Sequence, residues 1–348
     1  MYTIEPPTKL IQPYAHRHTT LNGPGDDRPT ALEILKDLKL DGKLKDKTVL
    51  ITGATTATGL GVATAKALHT TGARIFIAAR DKEKADAAIT ACTSDTANTQ
   101  PIEAILMDLA DFSTIRCGVE DFLQKSKTLN VLINNAGVMY TAEGRTKDGL
   151  ETVIGVNHFA HFYLFQLLKS TLLASSSPSF HSRVINVTSS AHRYGPLDFD
   201  NLDSNKGGYN KAAAYFQSKT ANIYMANGIE THYGDKGLHG LSIHPGGVLT
   251  TQMFRHLNPE DYAPFGDPES FKRICKTADQ GAATIVWAAL APVLEGKGAL
   301  YLDDVGIAGV AEEGEEPGGP GYSPHAYDGE LTEKLWKYSC EAVGVEDD

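Results

Sequence analysis

From residue 47 onward, short apolar runs alternate with longer helical stretches, and this alternation constrains the chain more than any other feature. The runs are Thr48–Thr52 (TVLIT), Arg74–Ala79 (RIFIAA), Ile102–Met107 (IEAILM), Val131–Ile133 (VLI), Arg183–Val187 (RVINV), Leu238–Ile243 and Ala299–Leu302 (ALYL). Helical patterns separate them, the longest over about Gly149–Leu173 and around Ala212–His232, with a further one at Leu331–Val343. Strands that are apolar throughout are buried on both faces, as in a parallel sheet built from βαβ units. Right-handed crossovers then wind helices over both faces of the sheet. The expected fold is α/β, a doubly wound parallel sheet in a single domain over residues 45–348.

Residues 1–44 stand apart. Residues 1–28 are rich in Pro, Gly, Thr and His without a period, and read as an irregular arm or mobile tail. Thr30 is placed to cap a short helix whose Leu32, Ile34, Leu35, Leu38 and Leu40 crowd one side and pack on the main domain. The formal net charge of −11 argues against a nucleic-acid partner, which requires a basic face. The first residues have no apolar core of signal-peptide length, and no run of about 18 apolar residues predicts a membrane span. The four cysteines have neither metal nor disulfide-grid spacing, and a cytoplasmic location is expected. Asn186-Val187-Thr188 matches a glycosylation triplet but falls in an apolar run, which predicts burial.

The first run leads into Gly53-Ala54-Thr55-Thr56-Ala57-Thr58-Gly59-Leu60-Gly61, and a helix starts at once. Glycines allow close backbone approach to a pyrophosphate, and free amides at a helix start attract it, so a Rossmann-type nucleotide site is expected here. An acidic residue at the end of the second strand would bind a ribose 2′-hydroxyl. The chain has Ala78-Ala79-Arg80 instead. A guanidinium there favours a 2′-phosphate, which points to NADP(H).

Tyr215 and Lys219 lie four apart in a helical stretch and share one face. A nearby ammonium stabilises a phenolate, so a tuned Tyr215 can exchange a proton with a substrate oxygen. Ser189 follows the fifth run at the strand edge where ligands sit, with Thr188 and Ser190 as neighbours, and its hydroxyl can hold a carbonyl oxygen. Asn157 is a buried amide in need of a partner, able to hold a helix carbonyl and a water leading away from Lys219. His158 and His161 lack the further ligands of a metal site, and no metal is expected.

The ordered set Thr52-Gly53-x-x-x-Ala57-x-Gly59, Asp108-Leu109, Asn134-Asn135-Ala136-Gly137, Asn157, Ser189, Tyr215-x-x-x-Lys219 and Pro245-Gly246-x-Val248-x-Thr250 resembles the short-chain dehydrogenases/reductases. It is most similar to their retinol-dehydrogenase-like and WW-domain-oxidoreductase-like branch, fungal members in particular. The resemblance covers about residues 45–250, and the rest more loosely. It implies that Asp108 holds the adenine and Asn135 lines the adenosine pocket. Gly53, Thr55, Thr58, Gly59, Leu109, Ala136 and Gly137 join them at the cofactor. Tyr215 is then the general acid/base, Ser189 the carbonyl holder, Lys219 the ligand of the nicotinamide ribose, and Asn157 a relay residue. Val248 and Thr250 would fix the nicotinamide amide, and a homodimer or homotetramer is implied. Ala57 departs from the family's glycine.

The expected activity is an NADP(H)-dependent interconversion of ketone or aldehyde and alcohol on a hydrophobic small molecule, in secondary metabolism by resemblance. The alternatives are an enzyme of this fold with no net redox change, such as an epimerase or dehydratase, and a non-catalytic nucleotide sensor. Residues 251–280 are expected to form a substrate lid, with Met253, Phe254, Tyr262, Phe265 and Phe271 facing the substrate. Glu312–Tyr322 reads as a flexible excursion without a role.

Overall fold

The computed structural model describes residues 4–94, 98, 100–204, 206, 208–312 and 319–346, without the side chains of residues 263–265. Strands β1 (Thr48–Thr52), β2 (Arg74–Ala79), β3 (Ile102–Leu106), β4 (Val131–Asn134), β5 (Ser182–Val187), β6 (Leu238–His244), β7 (Leu300–Asp303) and β8 (Gly306–Ile307) form one sheet. Its order is β3-β2-β1-β4-β5-β6-β7-β8, all parallel except β8, which returns antiparallel beside β7. This is the doubly wound sheet expected from the apolar runs, with a short final hairpin added. The order reverses between β1 and β4, where the carboxyl ends of the strands open a crevice.

Both faces of the sheet are covered because neighbouring residues on each strand point to opposite layers. Val49 and Ile51 of β1 enter one core with helices α1 (Ala31–Asp37), α2 (Leu60–Thr70), α3 (Lys82–Thr93) and α9 (Ala278–Leu290). Leu50 enters the other with α4 (Phe112–Lys125), α6 (Ala160–Ser175), α7 (Lys211–Tyr233) and α10 (Gly329–Val343). A short helix, α5 (Thr152–Ile154), leads into α6 through a π-helical turn at Gly155–Phe159. That wide turn carries Asn157, and such turns occur preferentially at functional sites.

The arm is docked. Thr30 and Glu33 form the capping box of α1, whose Ala31, Ile34 and Leu35 are buried. The Ile11 carbonyl accepts from Ile307 of β8 at 2.8 Å, so the arm also rests against the sheet's far edge. Asn186 is buried in β5 and its side-chain oxygen accepts from Asn134 at 2.8 Å, so the glycosylation triplet is structural. No described helix is long and apolar enough to cross a membrane.

Candidate active site

Two adjoining cavities occupy the crevice. The first, about 660 Å³, is lined by Gly53, Thr55, Ala57, Gly59, Arg80, Asp108, Leu109, Asn135, Ala136 and Gly137. The chain turns tightly beneath it. Gly53 has φ +71°, and a Cβ there would lie 2.7 Å from the Ala136 Cα. A Cβ on Gly61 would meet the Gly53 carbonyl at 2.5 Å. Helix α2 has no side-chain cap at Gly59, so its leading amides face the cavity unclaimed. These amides, with Arg80 at the rim, form a donor set suited to a phosphorylated dinucleotide. Ala57 lines this cavity without filling it.

The turn is held from below by a buried chain of hydrogen bonds. The Thr52 hydroxyl accepts from the amides of Asn135 and Ala136, each at 3.0 Å. Its one proton therefore goes to His161 Nε2 at 2.9 Å, which leaves His161 Nδ1 to donate to the Asn157 carbonyl at 3.0 Å. Burial pushes the His161 pKa down to about 4, in keeping with this neutral tautomer. His158 is likewise buried and neutral, bonded to Ser339 Oγ at 2.8 Å.

The second cavity, about 630 Å³, is lined by Ser189, Tyr215, Lys219 and Val248. It meets the first at Leu60, Asn135, Gly137, Thr251 and Met253. Tyr215 comes from α7, and Ser189 begins the short 3₁₀ turn Ser190–Tyr194 by accepting from the Ala191 amide at 3.1 Å. Thr188 also lines this cavity, but its hydroxyl donates to the Lys219 carbonyl at 2.6 Å. Lys219 is buried, donates from Nζ to the Val187 carbonyl at 3.0 Å, and lies 5.6 Å from the Tyr215 ring centre.

Burial sets the electrostatics differently from the sequence expectation. It raises the Tyr215 pKa to about 12, opposed by a hydrogen bond with Ser189. It also lowers Lys219 to about 8, because an ammonium loses its hydration there. In the free protein the phenol is thus not activated by its lysine neighbour. A positive group entering beside them would favour the phenolate of Tyr215 while opposing the ammonium of Lys219.

Asn157 also differs from expectation. Its amide grips the Val138 backbone, accepting from the N–H at 2.8 Å and donating to the carbonyl at 2.9 Å, and it donates again to Ser218 Oγ. It holds a loop rather than a helix carbonyl, and its own carbonyl is engaged by His161. Thr58 and Thr250 line neither cavity; each hydroxyl donates to the other's carbonyl, at 2.9 and 3.0 Å.

The segment after β6 carries the 3₁₀ turns Gln252–His256 and Pro259–Phe265 and helix α8 (Pro268–Ile274). Met253, Phe254 and Phe271 line the second cavity; Tyr262 does not, and is partly exposed. The Phe265 side chain lies outside the described residues. Sequence reasoning missed two other walls of this cavity. Leu21 and Arg28 of the arm line it, and so do Gly319 and Pro320. The excursion after Glu312 thus contributes to the site, with Tyr322 buried and bonded to Gly309; its residues 313–318 lie outside the described set.

Residues 47–261 match the family model for short chain dehydrogenases. The chain is 41% identical over 332 residues to the short-chain dehydrogenase/reductase prx1 of Penicillium roqueforti, covering 95% of both. It is 37% identical over 308 residues to human retinol dehydrogenase 12, covering 87% of this chain and 88% of the relative. An uncharacterized protein of Mycobacterium paratuberculosis is 29% identical with a TM-score of 0.63, covering 86% of this chain and 94% of its own. The Pseudomonas aeruginosa RhlG/NADP complex is 26% identical with a TM-score of 0.52, over 74% and 94%.

Proposed function

The chain belongs to the short-chain dehydrogenase/reductase family, in its retinol-dehydrogenase-like branch, and on that premise we propose that it is an NADP(H)-dependent oxidoreductase interconverting a carbonyl and an alcohol. Its substrate in this reading is a hydrophobic small molecule, in keeping with a cavity walled by Leu21, Met253, Phe254 and Phe271. A place in fungal secondary metabolism accords with the Penicillium relatives.

One observation carries the reading. Tyr215, Ser189 and Lys219 line a cavity that opens at Gly137 and Asn135 into the one lined by the glycine turn and Arg80. Residues at that junction, Asn135 and Gly137 among them, would hold a nicotinamide, which when bound would supply or accept the hydride. Ser189 holds the substrate oxygen beside the Tyr215 hydroxyl. Tyr215 gives that oxygen a proton in reduction and removes it in oxidation. Lys219, four residues on with its Nζ 5.6 Å from the Tyr215 ring centre, is placed to stabilise a phenolate there when it is protonated. Val138, gripped by Asn157, follows Gly137 and so fixes the loop at the junction.

NADPH consumption measured with a panel of hydrophobic ketones and aldehydes, retinal among them, tests the activity. Tyr215→Phe is expected to lower turnover by roughly 10²–10⁴-fold with NADPH binding retained. Unchanged turnover in that variant would remove Tyr215 as the proton carrier.

A further inference from the structure

The nucleotide cavity has a third cation that comes from the far side of the crevice. Arg80 directly follows β2, at the position the resemblance singles out, and Lys84 lies in the first turn of α3. Arg255 lies some 170 residues later, in the 3₁₀ turn Gln252–His256, and lines the same cavity. Its Nη1 donates to the Gln252 carbonyl at 2.6 Å, which fixes one edge of the guanidinium and leaves the rest of its fork open. All three cations have exposed side chains, and none forms an ion pair among the described residues.

The carboxylates on that wall are engaged elsewhere. Asp81 accepts from the Lys84 amide at 3.0 Å as the cap of α3, and Asp108 accepts from the Ala110 amide at 3.0 Å. Partial desolvation, and after it the charge of nearby Arg80, depress the Arg255 guanidinium. Two guanidinium groups brought together without an anion repel, and a dianion between them converts that repulsion into paired charged hydrogen bonds.

We propose that Arg255 is a ligand of the cofactor's 2′-phosphate, closing over it from the segment after β6 while Arg80 and Lys84 hold it from below. The same turn contributes Met253 and Phe254 to the catalytic cavity. The phosphate therefore fastens a wall of the substrate pocket, and NADP(H) organises the substrate site in a way that NAD(H) cannot. This rests on the NADP(H) reading above.

The test is direct binding of NADP⁺, NAD⁺ and 2′,5′-ADP to the whole protein and to Arg80→Ala, Arg255→Ala and Arg255→Lys, with hydrogen exchange followed over residues 252–274. Arg255→Ala is expected to weaken NADP⁺ and 2′,5′-ADP about tenfold or more and NAD⁺ by less than twofold, with Arg255→Lys intermediate. NADP⁺ and 2′,5′-ADP should slow exchange in the segment in the parent protein, and NAD⁺ should not. If Arg80→Ala loses NADP⁺ affinity while Arg255→Ala keeps it, the role of Arg255 is overturned and the cofactor reading stands. If the parent protein binds NAD⁺ as tightly as NADP⁺, both fall. Arg255 is exposed, so an unchanged thermal midpoint separates loss of the ligand from loss of the fold.

Discussion

Thr58 and Thr250 hold one another in a reciprocal pair. The Thr58 hydroxyl donates to the Thr250 carbonyl at 2.9 Å and the Thr250 hydroxyl donates to the Thr58 carbonyl at 3.0 Å. One sits in the phosphate turn and the other ends the Pro-Gly loop, so the pair bridges the crevice between the two cavities. The sequence assigned both to the cofactor, yet in the free protein their side chains serve each other.

Removing either hydroxyl should therefore loosen the crevice more than the fold. Thr58→Val and Thr250→Val are each expected to weaken NADPH binding by about 1 kcal/mol, the scale of one exposed hydrogen bond. The double variant should lose less than the sum of the two, because both bonds hold the same closure. Titration of all three variants with NADPH checks this; strict additivity would mean that the two bonds act separately.

Lys219 makes stability depend on pH with a defined sign. Its pKa is lowered from 10.5 to about 8 by burial, so between those values the unfolded chain binds a proton that the folded chain does not. Stability then rises with pH across that window, by up to about 1.4 kcal/mol per pH unit. Tyr215, raised from 10.0 to about 12, acts with the opposite sign above pH 10, where the folded chain keeps a proton that the unfolded chain has lost. Denaturant melts of the parent and of Lys219→Met from pH 7 to 10 should show the slope shrinking in the variant. Parallel curves would disprove the link.

Arg28 is a buried cation in the arm, paired with Asp26 at 2.8 Å and donating to the carbonyls of Ile274 and Cys275 at 2.6 Å each. Gln280 reinforces the dock by donating to the carbonyls of Asp26 and Arg28. Arg28→Ala leaves Asp26 and those carbonyls without their donor and should cost about 3 kcal/mol in unfolding free energy. Arg28→Lys restores the charge without the fork and should recover only part of it. Chemical denaturation of the three proteins measures the series.

Gly228 lies in α7 beneath Trp336 of α10, and a Cβ there would sit 2.5 Å from the Trp336 ring. Gly228→Ala forces the ring or the helix aside and should destabilise by about 1–3 kcal/mol, despite the better helix propensity of alanine. Thermal melts decide the sign, and a stabilised variant would show that Trp336 moves freely.

The strands and the Tyr215–Lys219 helix were legible in the sequence because their signals are local. Helix α9 was not assigned, since all of its residues from Gln280 to Leu290 are buried and no polar face marks a helical period. Strand β8 is two residues long and carries no pattern of its own. The cavity wall made by Leu21 and the clasp of Thr58 on Thr250 depend on pairings across the whole fold, and a threonine in a loop looks the same whether it binds a ligand or a neighbour. Asn157 was found through its burial, but its grip on Val138 depends on the π-turn, which no spacing rule foretells.

The docking of Arg28 on the Cys275 carbonyl spans 247 positions of the chain. Residues 21–28 must therefore wait through the synthesis of nearly every strand before their partners exist. Closing so long a loop adds to the search entropy of folding and favours late assembly. The sheet and the nucleotide crevice can form first, from nearer neighbours in the chain, while the substrate cavity gains the wall made by Leu21 and Arg28 only when the arm settles. In the order of assembly, the ability to hold a cofactor precedes the ability to choose a substrate.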